Sequence, residues 1–170
     1  MNETISFLQK AGKLKRLSRK GWILKKVPNP ESVADHSFRT AVMAMLLAKK
    51  CGCDEDKCVK MALLHDLAEA IAGDITPGDM TPNRKIKAEK AAANMLFKNE
   101  AGLKKIWQEY EAQKSPEAKF VYELDKLEMM MQAAEYENKH SIDLGELLSY
   151  AKDRIKAPEL KKIAAKLKRK

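Results

Sequence analysis

Apolar residues recur at helical spacing along most of the chain, and no stretch keeps the strict alternation of a half-buried strand. Ile5, Leu8, Leu14 and Leu17, with lysines between them, predict an amphipathic helix over residues 3–17. Gly21 breaks that pattern, and residues 22–30 read as a loop ending in Pro28-Asn29-Pro30. Asn29-Pro30-Glu31 has the form of a helix start, with a capping side chain, a proline at the first helical position and an acid near the positive end. The helix it opens should run from Pro30 to Lys50 and present Val33, Ala41, Val42, Met45, Leu46 and Ala48 as its apolar surface. Gly52 ends it, and Asp54 caps a third helix that continues to Ala72, where Gly73 stops it. Residues 74–79 form a turn-rich loop. Thr81-Pro82 opens a helix to Phe97, a short helix covers Gly102 to Gln113, and Ser115-Pro116-Glu117 opens another to Tyr136. Segments 144–155 and 158–168 complete an all-α chain of six to eight helices.

Length and composition agree with that outline. A chain of 170 residues suits a single domain over residues 1–170, closed by a basic helical tail from residue 157 on. Hydrophobic residues make up 45% of it, with only 7 Gly and 6 Pro, which excludes a disordered chain and favours helix. No run approaches bilayer length, and Met1 to Ile5 lacks a signal-peptide layout, so a cytoplasmic protein without a membrane partner is expected. Net charge is +9, partly from Lys161, Lys162, Lys166, Lys168, Arg169 and Lys170. Those residues read as a solvated helix face rather than a nucleic-acid stripe. Cys51, Cys53 and Cys58 do not have zinc-site spacing and read as reduced thiols.

The chemistry concentrates in Leu63-Leu64-His65-Asp66-Leu67-Ala68-Glu69. Ionisable groups in an apolar run must be paired or metal-bound, because desolvating them alone is too costly. His65 and Glu69 share a helix face, as do Asp66 and Glu69, whereas His65 and Asp66 diverge by about a third of a turn. They can meet one divalent ion only if it sits between their directions. Of the three histidines, His36 lies in an apolar-striped helix, while His140 sits at a polar helix end and should be exposed. A carboxylate ligand should come from the helix built on Phe120, Leu124, Leu127 and Met131. Periodicity leaves both Asp125 and Glu128 open, with Glu128 nearer the apolar face. Two histidines and two carboxylates suit Mn, Co, Zn, Fe or Ni without selecting one.

These residues resemble the H…HD…D signature of the HD-domain metal-dependent phosphohydrolases. NPESVADH at 29–36, HDLAEA at 65–70, GDITP at 73–77 and ELDK at 123–126 resemble the 5′-deoxynucleotidase subgroup. The resemblance implies an all-helical fold and one divalent ion, Mg included among the candidates, held by His36, His65, Asp66 and Asp125. It implies hydrolysis of deoxyribonucleoside 5′-monophosphates. The subgroup's nucleotide-holding Arg and Trp fall on Arg19 and Trp22, here separated by Lys20 and Gly21, and its acidic pair falls on Glu69 and Asp74. In those roles Glu69 would orient or deprotonate water or assist proton transfer to the leaving oxygen, and Arg19 would fork onto phosphate. Trp22 would pack on sugar or base, and Asp74 would accept from a sugar hydroxyl. Related proteins commonly dimerise, and nine methionines offer adaptable surface, so a homodimer is expected. The competing readings are an HD-type hydrolase of a cyclic nucleotide, triphosphate or alarmone, and a basic nucleic-acid-binding helical protein.

Overall fold

A computed structural model describes residues 2–76 and 78–167. The expected tail residues Lys168, Arg169 and Lys170, and Pro77 of the 74–79 loop, lie outside the described residues. The helices are α1 (Asn2–Ala11), α2 (Lys20–Leu24), α3 (Val33–Leu47), α4 (Glu55–Leu64), α5 (Glu69–Ala72), α6 (Pro82–Leu96), α7 (Ala101–Ala112), α8 (Pro116–His140), α9 (Gly145–Lys152) and α10 (Pro158–Ala164), with 3-10 turns at Gly12–Arg16 and Lys49–Cys51. No strand occurs among the described residues, so the fold is all-α.

α8 is the axis. It packs against α3, α4, α7, α9 and α10. Phe120, Val121, Leu124, Leu127 and Met130 are buried along it. Each such side chain contributes roughly 1.5–3 kcal/mol on leaving water. Ser115 starts α8 as the sequence predicts, its hydroxyl accepting from the Ala118 N–H at 3.2 Å. The helix runs past the expected end at Tyr136 to His140 and stops at Ser141, which is left-handed with φ 53°. A second core, with Leu14, Val33, Leu96, Phe97 and Trp107, gathers under α5 and α6. The C-terminal segment is tied in through Leu160, which is buried in the main core, while Lys161, Lys162 and Lys166 face solvent.

Several expectations need correction. The first helix breaks at Gly12 into a 3-10 turn, and part of the predicted 22–30 loop is α2. α3 starts later than predicted, because Ser32 rather than Asn29 caps it. The Ser32 hydroxyl accepts from the Asp35 N–H at 3.1 Å, and the Asp35 carboxylate accepts from the Ser32 N–H at 2.9 Å. Asn29 instead sits in the left-handed region at φ 49°. The delay has a tertiary cause: Arg19 N–H donates to Glu31 O at 3.0 Å and Val33 N–H to Leu17 O at 2.8 Å. These bonds hold residues 31–32 extended against 17–19 and let the helix begin only at Val33. The inner face of α3 also differs from the predicted stripe. His36, Ser37, Thr40, Ala41 and Ala44 are buried, whereas Met45 and Leu46 are more than half exposed. Apart from Val33, His36 and Met43, the buried residues of α3 are small. The third predicted helix is interrupted after Leu64 and resumes at Glu69. Asp54 caps it as predicted, accepting from Lys57 N–H at 3.0 Å, and Gly73, at φ 80°, ends α5. Thr81 precedes α6 without a side-chain cap bond.

Candidate active site

The interruption between α4 and α5 shapes the His65-Asp66 doublet. The His65 Nδ1–H donates to the Ala62 carbonyl at 2.7 Å, taking an oxygen that would otherwise serve the next helical N–H. The backbone then tightens: Leu67 N–H bonds Leu64 O at 3.1 Å, Glu69 N–H bonds Asp66 O at 3.0 Å and Ala70 N–H bonds Leu67 O at 3.2 Å. Through this turn two consecutive side chains converge. His65 Nε2 lies 3.1 Å from Asp66 Oδ2.

His36 enters from the end of the first turn of α3 and is fully buried. Its Nδ1–H donates to Glu128, and its Nε2 stands 3.3 Å from His65 Nε2, 3.8 Å from Asp66 Oδ2 and 3.3 Å from Asp125 Oδ1. The two carboxylates left open by periodicity therefore meet opposite nitrogens of one ring. Asp125 faces Nε2 together with the doublet. Glu128, itself fully buried, faces Nδ1 and is held from behind by Arg39, whose Nε–H donates to it at 2.8 Å. Arg39 also forks onto Glu135 at 2.8 and 2.9 Å. Tyr110 of α7 backs the His65 ring edge-on at 5.4 Å.

The donor set fits a divalent ion. Both Nδ1 atoms are committed to acceptors, so both Nε2 atoms present lone pairs to the same point. Two such lone pairs at 3.3 Å, flanked by Asp66 and Asp125, leave an electron-rich focus that a cation satisfies. His36, His65 and Asp66 would hold it as a compact group, with Asp125 completing the set from α8.

The surrounding charges are strongly coupled. Burial opposes the charge on Asp66, but His65, His36 and Arg19 hold its carboxyl well below the ordinary range. Burial likewise opposes Asp125, which Lys126 and His36 hold well below its usual value. Burial and the Arg19 charge work against a second proton on His36, yet Glu128 and Asp125 raise it to about 9, so an ion at Nε2 would take the place of that proton. Glu69 behaves differently. Burial, then the Asp66 and Asp74 charges, raise it well above the carboxylate range. Its Oε2 is buried without a hydrogen-bond partner among the described residues.

A cavity of 370 Å³ opens beside this cluster, lined by Arg19, Trp22, Glu69 and Asp74 among others. Arg19 precedes α2, where its Nη1–H donates to Asp66 Oδ2 at 3.3 Å. Burial opposes its charge, which Asp66 and Asp125 reinforce beyond the ordinary arginine value. Trp22 is almost wholly buried. Its indole N–H donates to Glu31 at 2.9 Å, and its ring meets Tyr136 edge-on at 5.4 Å, so only part of it borders the cavity. Asp74 accepts from the Lys20 N–H at 2.7 Å, which ties the 74–79 loop to the start of α2. Lys20 also pairs with Asp79, and Lys85 donates to the Ile75 carbonyl at 2.7 Å. His140, expected to be exposed, is half-buried against Tyr136 and stands outside this cavity.

Sequence reasoning missed two cavity-lining cations, Lys85 and Lys126. Lys126 adjoins Asp125 in sequence and donates to its Oδ2 at 2.7 Å, a proximity that could have flagged it. Nothing local marks Lys85. Arg39 was also missed, since its role depends on a glutamate 89 positions away.

The HD domain family profile matches residues 11–167. The 5′-deoxynucleotidase HDDC2 of Homo sapiens is 46% identical over 140 residues, which cover 79% of this chain and 68% of that protein. The 5′-deoxynucleotidase HDDC2 of Dictyostelium discoideum is 38% identical over 185 residues, covering 98% and 97% respectively. Among solved structures, a conserved hypothetical protein from Pyrococcus furiosus superimposes with a TM-score of 0.82 at 37% identity, covering 96% of this chain and 98% of that one.

Proposed function

Because the chain belongs to the HD domain family, we propose that it is a 5′-deoxynucleotidase, hydrolysing deoxyribonucleoside 5′-monophosphates to deoxynucleoside and phosphate. The observation that carries this reading is the convergence of two histidine Nε2 atoms and two carboxylates at the wall of a cavity that also holds Arg19 and Glu69. Divalent-metal dependence goes with the HD domain, and His36, His65, Asp66 and Asp125 would hold the ion. When bound, it supplies Lewis acidity toward a phosphoryl oxygen and lowers the pKa of water.

The remaining chemistry belongs to the chain. Arg19 and Lys126 place two positive charges at the anionic end of the substrate, Arg19 with fork geometry. Glu69, whose burial and then the Asp66 and Asp74 charges raise it well above the carboxylate range, holds its proton more tightly than an exposed glutamate. It delivers that proton to the departing 5′-oxygen. Asp74 borders the same cavity with one oxygen committed to Lys20, leaving the other for a sugar hydroxyl. Trp22, fixed by Glu31 and Tyr136, is a rigid wall against the sugar, and its bulk selects against a 2′-hydroxyl.

The chain acts as one HD domain that includes its basic C-terminal helix, with Leu160 buried in the core in support. It works in the cytoplasm, consistent with three free cysteines, and no helix among the described residues is long and apolar enough to cross a membrane. It forms a homodimer, which the exposed row of Phe38, Met45 and Leu46 on α3 supports.

Phosphate release from a panel of deoxy- and ribonucleoside monophosphates, with Mn, Co, Mg or a chelator, tests the activity. The expected result is chelator-sensitive release with deoxynucleotides preferred. No chelator-sensitive release from any deoxynucleotide would overturn it.

A further inference from the structure

The cavity is lined by two unlike kinds of side chain. Arg19, the carboxylates and the two lysines make up one. Met129 of α8 and Leu147 and Tyr150 of α9 make up the other, and nothing in the ion cluster or the proton chemistry uses them. Leu147 and Tyr150 are three residues apart and share a helix face. Tyr150 keeps 42% of its surface exposed, although it borders a concave site. The ring is braced. The Arg154 guanidinium carbon lies 3.5 Å from its centroid, and Arg154 Nη1–H donates to the Tyr150 carbonyl at 2.9 Å. The helix carrying it is anchored at both ends. Glu137 accepts from the Leu144 N–H at 2.8 Å, and Glu123 accepts from the N–H groups of Lys156 and Ala157, each at 2.7 Å.

We propose that Tyr150, backed by Arg154 and flanked by Leu147 and Met129, is the platform on which the nucleobase of the substrate stacks. The assignment rests on the proposed deoxynucleotidase reading and adds to it the subsite for the base. A nucleobase has flat π faces and a polar edge. An aromatic ring held by a cation on one side offers the matching face, and a leucine and a polarisable thioether fill the space around it. Stacking on such a wall does not read the hydrogen-bonding edge of the base, because every base has a π face. The subsite therefore recognises that a base is present more than which base it is, and all four deoxynucleotides should be hydrolysed with similar efficiency.

The test compares metal-loaded full-length wild type with Tyr150→Ala and Tyr150→Phe. Substrates are the four deoxynucleoside 5′-monophosphates and 2-deoxyribose 5-phosphate, which lacks a base. In Tyr150→Ala the ratio of kcat/KM on nucleotides to that on the base-free sugar phosphate should fall roughly tenfold, mainly through KM. Tyr150→Phe should restore it, since stacking needs the ring and not the hydroxyl. If Tyr150→Ala lowers the melting temperature, Tyr150→Leu keeps side-chain volume without a π face and should show the same ratio change. An unchanged ratio in Tyr150→Ala and Tyr150→Leu overturns the platform while leaving the deoxynucleotidase reading intact. Absence of release from every deoxynucleotide by wild type overturns both.

Discussion

His36 donates its Nδ1–H to Glu128, and this bond aims the opposite nitrogen at His65, Asp66 and Asp125. In the proposed ligand set Glu128 would act on the ion site through His36 without belonging to it. Glu128→Ala should weaken divalent-ion binding roughly 10- to 100-fold while a site remains. Glu128→Gln, which keeps the shape but accepts more weakly, should fall between. Calorimetric titration of metal-free protein with Mn²⁺ measures both.

Removal of a residue on the Nε2 side has a different signature. His65→Ala and Asp66→Ala should abolish phosphate release and leave the purified chain without its ion by elemental analysis. Asp125→Ala should do the same. A variant that keeps a full complement of metal removes that residue from the donor set.

The proton on Glu69 predicts a pH dependence. Its carboxyl is raised by burial and then by Asp66 and Asp74, so it holds a proton above the pH at which an exposed glutamate loses one. A proton donor is lost as pH rises through that raised value, so kcat should decline on the alkaline side. Glu69→Gln should lower kcat by about 10²- to 10⁴-fold, erase that limb and keep the metal. An alkaline limb that persists in the variant belongs to another group.

Arg19 would touch the ion only through Asp66. Its backbone N–H bonds Glu31 O whatever the side chain, so Arg19→Lys should fold normally. Lysine keeps the charge but loses the fork, and KM for the nucleotide should rise about tenfold with a smaller change in kcat. Steady-state kinetics beside a melting curve checks both halves.

The three cysteines should react unequally. Cys58 is fully buried, and burial, then Cys53 and nearby carboxylates, push its thiol up to about 12. Cys51 and Cys53 are partly exposed. Iodoacetamide at neutral pH should label only those two in the native protein, and all three after denaturation, as read by peptide mass spectrometry.

What the sequence could show was local. Asp54, Gly73 and Ser115 do what their side chains and φ preferences dictate within a few residues. Ser32 displaced Asn29 as a cap because both are competent and the choice fell to the pairing of residues 17–19 with 31–33. Asp125 and Glu128 both point inward from one helix, and only the position of His36 between them separates their surroundings. The tight turn at the doublet turns on one bond from the His65 ring to a carbonyl, which helical periodicity does not register.

The same turn has a thermodynamic consequence. The aim of His65 and Asp66 is set within about one turn of chain, from Ala62 to Glu69. His36 and Asp125 arrive only when α3 and α8 have packed, 29 residues away in the case of His36 and His65. An unfolded chain keeps at most the local half of the site. Ion binding and folding are therefore linked equilibria, and free metal at a hundred times its dissociation constant would add about 2.7 kcal/mol to the stability of the native state. Chelation should lower the melting temperature before any chemistry is assayed, so thermal stability would read the integrity of the whole proposed four-residue set.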